Sequence, residues 1–425
     1  MTKGKIFLLA SLLVVGTQMY GAETINNAKT ISEKDESTTF YTTEGVYSEG
    51  KFNLAGKTLN FIPNIPSIDN TGGVLKKIEI GEGKKVVFNT PDTTGISSFL
   101  LDSGENGRNY ILGKGTVLIE KEFQKFYLVH INGNSKIDIQ SDIILSSKSG
   151  DNMISVGKDG SVVFESLKLT SKERNIKGIS FVGSKGNITV KKIDVSVPKS
   201  ITGLEAYGIR TEGNAENVVI QGGRIVAPVL FVSEGNGMGK LTLGSDSSRI
   251  ELIGAIQNVN SGVNIDVNLT NKDSTANISE FNNEGKINLT VANGGTLTLN
   301  KAGTKTGDLV LKGGVSAANK GNIVMGLTDE TKAIEISDYS GYTTVMYSHT
   351  DDGTKTENYK GSPLKIKTIS SAGEMTLSTP SNDILLSNEG KIKAALNSLA
   401  GKLSLASGAA TSSFKGKVQI EIPEG

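Results

Sequence analysis

The chain has 425 residues, with 45 basic side chains against 44 acidic, 51 Gly, 8 Pro, 2 His and neither Cys nor Trp. That length exceeds one compact core of about 250 to 300 residues and implies several globules or one repeat array. Charge balance supplies no field for nucleic acid, and the lack of Cys removes disulfides, thiolate metal sites and Cys nucleophiles, so no cofactor and no metal is expected.

Lys3 and Lys5 precede the apolar run from Ile6 to Val15, and small or polar residues lead to Gly21 and Ala22. A positive start, a short apolar core and a small-residue exit predict a secretory signal peptide over 1–22, cleaved at Ala22 or after Gly21. The apolar run is too short to span a bilayer comfortably. Residues 23–50 are polar and rich in Thr, Ser and Glu, which predicts a disordered leader or an irregular N-terminal cap.

Over 51–385 the chain breaks into short segments of alternating polarity bounded by Gly, Asn, Asp and Ser. Lys136 to Gln140, Ser161 to Phe164, Asn187 to Val190, Asn217 to Ile220, Lys240 to Leu243, Asn264 to Leu269, Lys286 to Val291 and Thr296 to Asn300 all read this way. Period-two alternation marks strands with one buried face. Turn glycines follow apolar strands at Gly133, Gly157, Gly183, Gly213, Gly235, Gly262 and Gly285. Their spacing of roughly 22 to 30 residues is that of a solenoid coil, with one short strand on each of three faces. The expected fold is therefore all-β, a right-handed parallel β-helix of about 14 coils, with inward Val, Ile and Leu ladders and glycine at the corners. An antiparallel sandwich is the competing fold, disfavoured by the scarcity of Asn-Gly and Asp-Gly hairpin loops.

Toward the end of the array, the less regular segment Tyr339 to Tyr359 carries Tyr342, Tyr347 and Tyr359, whose amphipathic rings make them the candidate binding residues. In the element 386–425, Ile392, Ala395, Leu396, Leu399 and Leu403 fall three and four residues apart, predicting a short amphipathic helix over Lys391 to Leu403. Such a helix would cover the open end of the solenoid or lie on its wall.

No string of residues amounts to catalytic machinery, so no catalytic residue is assigned. Asp102, Ser103 and Gly104 resemble a serine-protease nucleophile loop, but both His130 and His349 follow Ser103 in the chain. Neither Gly107 to Gly115 nor Gly235 to Lys240 has the spacing of a phosphate loop. Asp351 and Asp352 would need further oxygens to hold Ca²⁺. The alternative that keeps an enzyme in play is a carbohydrate-active β-helix, a polysaccharide lyase or glycoside hydrolase, which needs carboxylates that meet in a groove. Asp138, Asp142, Glu165 and Asp194 are the available acids, with Lys136, Lys168, Lys191 and Lys192 interleaved among them as on a solvated wall.

In its signal peptide, its lack of Cys and its Gly- and Asn-punctuated strands, the chain resembles passenger regions of type V autotransporters of the fusobacterial kind. The segments Glu389 to Leu403 and Phe414 to Glu421 are similar to a helix-plus-strand element of those passengers. The resemblance implies export in a Gram-negative bacterium, passage of the unfolded chain through an outer-membrane β-barrel translocator, and display at the cell surface or secretion. The last hundred residues lack the strands and aromatic girdles of such a barrel, so the expectation is a passenger whose barrel lies elsewhere, or export by another route. The expected function is non-catalytic: an adhesin or virulence factor contacting a host surface, a matrix component or other cells.

Overall fold

The computed structural model describes side chains over 114–119, 127–131, 136–146, 151–170, 177–198, 206–234, 237–258, 260–303, 307–324 and 334–344, and the backbone of further strands on either side. The signal peptide with Ala22, and the loop residues His349, Asp351, Asp352 and Tyr359, lie outside the described residues. Two units divide the chain, Met1–Ala206 and Tyr207–Gly425. Each is a parallel β-solenoid, and together the described residues wind through about seven turns.

In the first unit, strand 136–139 pairs with 161–164 and then with 187–190, while 142–147 pairs with 166–171 and Gly150–Val156 pairs with 176–181. Each residue therefore meets its equivalent 24 to 27 positions on. Every ladder among the described residues is parallel, which rules out the antiparallel sandwich there, and antiparallel contacts among them are limited to isolated bridges such as Ser245 with Ser248. The alternation seen in sequence decides which side chains enter the core. Ile137, Val162 and Ile188 stack in one column and Ile143, Leu167 and Ile193 in another, all buried. Each such aliphatic contributes about 1.5–3 kcal/mol by leaving water, so a coil is held mostly by its inward residues.

The second unit repeats the plan with three walls. The first wall takes 223–226, 250–254, 275–278, 296–299, Gly321–Met325 and Tyr342–Tyr347. The second takes 207–212, 229–233, 255–258 and 280–283, and the third 215–220, Gly239–Leu243, Val263–Leu269, 286–291 and 308–312. Leu252, Ala276, Leu297 and Ile323 fill the column behind the first wall, and Leu243, Val267, Leu289, Leu311 and Tyr339 one behind the third. Of the turn glycines read from sequence, Gly183 and Gly213 adopt left-handed φ of 55° and 69°. Gly244, outside that series, also has a positive φ of 92°, and a Cβ there would collide with the Asn268 carbonyl of the next coil.

Two terminal expectations meet different structure. A strand, Ser37–Thr42, lies inside the polar leader and pairs in parallel with Thr58–Pro63. The C-terminal helix is replaced by strands at Lys391–Ala395 and Lys402–Leu405, with 396–401 outside the described residues. Lys391–Ala395 pairs with Lys417–Glu421, and Lys402–Leu405 with Glu374–Ser378. The physical reason is that Ile392 and Ala394, like Leu403 and Leu405, also satisfy period two, and neighbouring coils supply backbone partners that an isolated short helix lacks.

Candidate functional site

The acids singled out in the sequence are distributed over two walls of the first unit. Asp138 projects from the wall of 136–139 and 161–164, Glu165 sits at the register break between that wall and the next, and Asp142 and Asp194 project from the next wall. Neighbouring coils partner two of them: Lys191 Nζ lies 2.7 Å from Glu165 Oε2, and Lys168 Nζ lies 2.8 Å from Asp194 Oδ2. Gln140 Nε2 donates to Asp138 Oδ2 at 3.5 Å. The hydrogen bond and attraction of Glu165, aided by Asp138, hold the Lys191 ammonium above the ordinary lysine value of 10.5. Lys191 with Glu165 and Lys168 with Asp194 thus form ion pairs from one coil to the next, each side chain between about 39% and 50% exposed. At that exposure an ion pair is worth little in stability but cancels the field along the wall.

The second unit carries a tighter charge cluster. Arg210 Nη2 bonds Glu212 at 2.9 Å and Glu234 at 2.5 Å, and its guanidinium sits 5.8 Å from the Tyr207 ring centroid. Burial opposes the Arg210 charge, but Tyr207, Glu234 and Glu212 outweigh it and hold the guanidinium above its ordinary value. Register places Glu212 directly beside Glu234, so Arg210 separates two like charges.

Among the candidate tyrosines, Tyr342 is half-buried at the start of Tyr342–Tyr347, and Tyr347 ends the same strand with its side chain outside the described residues. Tyr339, which the sequence reading treated as the edge of the same contact region, is instead a core residue. Its ring is fully buried beside Leu311, and its hydroxyl lies 2.9 Å from Thr343 Oγ1 and 3.1 Å from the Gly341 carbonyl. His130 is half-buried, edge-on to Tyr127 at 4.9 Å between ring centroids.

Sequence reasoning missed an interior polar column. Thr211, Ser233, Asn258 and Asn283 occupy equivalent positions on successive coils, all buried. Ser233 Oγ donates to Asn258 Oδ1 at 2.7 Å, Asn258 Nδ2 donates to Asn283 Oδ1 at 2.9 Å and to the Val263 carbonyl at 3.1 Å, and Asn283 Nδ2 donates to the Gly285 carbonyl at 2.8 Å. The signal was present as Ser and Asn at an inward position of the alternation, where only a satisfied polar group is tolerated. The fold and these sites define the class, a parallel β-solenoid with paired charges outside and an amide column inside. No family model, no curated protein and no solved structure matches the chain.

Proposed function

We propose that the chain is an exported β-solenoid passenger, displayed at the cell surface or secreted, that acts in adhesion or host interaction without catalysis. The winding is taken as right-handed, the hand that strand–connection–parallel-strand units adopt. The observation that carries this reading is the coil-to-coil pairing of outward charges, Lys191 with Glu165 and Lys168 with Asp194, which occupies two of the acids a hydrolase would need free. A solenoid of this kind offers extended walls for contact, and function lies in what those walls present. Tyr342, Tyr347 and Tyr359 remain the proposed contact residues, with Tyr342 on the first wall of the second unit. A host surface or matrix component and an outer-membrane β-barrel are the proposed partners.

Fractionation of cells producing the chain with and without residues 1–22 tests export, and binding of the purified chain to host cells or matrix tests adhesion. Retention of the intact chain in the cytoplasm, or no binding to either surface, overturns the reading. The second reading is the carbohydrate-active enzyme, favoured by Asp138, a carboxylate that lies outside the Lys191–Glu165 ion pair and still attracts Lys191. Release of soluble sugar from an anionic polysaccharide, abolished in Glu165→Gln, would establish it.

A further inference from the structure

The walls of the second unit differ in charge although the same coils build them. On the third wall, Lys240, Asp266, Lys286, Asp308 and Lys312 face outward, with Lys240 Nζ 3.0 Å from Asp266 Oδ2. On the first wall the outward positions of the corresponding strands are Thr275, Asn277, Thr296, Thr298, Asn322 and Thr344, with Val324 as an apolar exception. Register stacks them in two columns: Thr275, Thr296, Asn322 and Thr344 form one, and Asn277, Thr298 and Val324 the other. Charge returns one coil upstream, where Glu251 meets Arg224 at 3.4 Å and Arg249 at 3.6 Å, and one coil downstream, where Glu374 pairs in register with Tyr342.

The result is a lattice of hydroxyls and amides, broken in its second column by Val324 and spaced about 4.8 Å between coils and about 6.6 Å along a strand. Asn300 Nδ2 fixes the rim by donating to Asn277 Oδ1 at 2.8 Å, and Tyr342 stands two residues before Thr344 on the same face, with Thr343 between them turned into the core. We propose that this face binds a neutral polysaccharide. Each Thr hydroxyl and Asn amide both donates and accepts, as sugar hydroxyls do, so bound water can be exchanged for a glycan without leaving a buried charge. A repeating lattice also suits a repeating ligand, and the Tyr342 ring supplies an apolar surface beside it. Lys and Asp on the third wall would resist the same desolvation.

This inference rests on the non-catalytic presentation reading and names its ligand class. The test is retention of the purified full chain on insoluble β-1,4-glucan, chitin and β-1,3-glucan, with pectate and heparin resins as anionic probes. The expected result is retention on at least one neutral glycan, weakened at least tenfold by Thr298→Lys, retained in Thr298→Ser and unchanged in Lys286→Thr on the third wall, with all variants keeping the wild-type circular dichroism. No retention on any neutral glycan overturns the proposal, as does retention that Lys286→Thr weakens and Thr298→Lys does not. Binding to the anionic resins alone also overturns it while leaving presentation intact. Release of soluble sugar from a neutral glycan, with Thr298→Lys still abolishing retention, supports the face and removes the non-catalytic reading.

Discussion

Replacing Asn258 with Ala probes the interior column where its connections are densest. The wild-type amide is fully buried, accepts from Ser233 and donates to both Asn283 and the Val263 carbonyl. Truncation leaves a hydroxyl, an amide oxygen and a carbonyl short of a partner in a site closed to water. An unsatisfied buried group costs about 1–3 kcal/mol, and the Ser233 hydroxyl can rotate, so the expected loss is about 3–5 kcal/mol including the small cavity. Urea unfolding followed by circular dichroism reports the drop in midpoint. Because coils of a repeat array can open separately, hydrogen exchange at the amides of Ser233, Gln257 and Asn283 gives the local value. Asn258→Asp sharpens the test: its carboxylate can still accept from Ser233 but opposes Asn283 Oδ1 and has no proton to donate. Burial raises the pKa of such a carboxyl above its unfolded value, so the variant is least stable relative to wild type at neutral pH and recovers as pH falls and it protonates. An Asn258→Ala variant within about 0.5 kcal/mol of wild type, or an Asn258→Asp variant whose deficit is flat with pH, would refute the view that the column carries stability.

Arg210→Met leaves Glu212 and Glu234 adjacent without their shared cation, and a loss of about 1–3 kcal/mol is expected in the urea midpoint, partly relieved in high salt. Gly244→Ala places a methyl against the Asn268 carbonyl at a left-handed φ, so thermal unfolding should shift down by an amount equivalent to about 2–4 kcal/mol. Tyr339→Phe keeps the buried ring but removes the hydroxyl that meets Thr343 and Gly341, at a cost of about 1 kcal/mol in the same assay. Lys191→Met should leave the midpoint at neutral pH unchanged, because the pair with Glu165 is exposed. Since the folded Lys191 titrates above 10.5, its interaction is complete below that pH and fades as pH climbs through the raised value, which an NMR titration of the ammonium group can follow.

The solenoid was legible because alternation and strand length are local properties. Ile137, Ile139, Val162 and Phe164 announce an inward face within two short segments, and Gly183 and Gly213 announce corners that need a positive φ. The same locality explains the misreading of Lys391 to Leu403, whose apolar residues fit both the helical and the strand period until neighbouring coils offer a ladder. Asn258 and Asn283 escaped notice because Asn in a Gly-rich chain reads first as a corner residue. Only register shows that they share one column with Ser233 and Thr211. For the same reason Tyr339 could not be told from Tyr342 by composition, since the first ends the third wall facing the core and the second, past the Gly341 corner, begins a strand of the first wall facing out.

The column gives the second unit a sense of direction that its aliphatic stacks do not have. Leu on Leu is indifferent to which coil comes next, but Ser233 and Asn258 each donate to the amide oxygen of the coil that follows and Asn283 Nδ2 reaches the Asp308 carbonyl of the next at 3.4 Å, while Thr211 Oγ1, at the head of the row, has no hydrogen-bond partner among the described residues. A duplicated coil bearing Asn at that position would meet an acceptor ahead and a donor behind, so the unit can lengthen by whole coils without a mismatch. A coil bearing Leu there would interrupt the relay, leaving an unanswered amide on either side. Growth of such an array is therefore open to copies of its own coils and closed to generic ones.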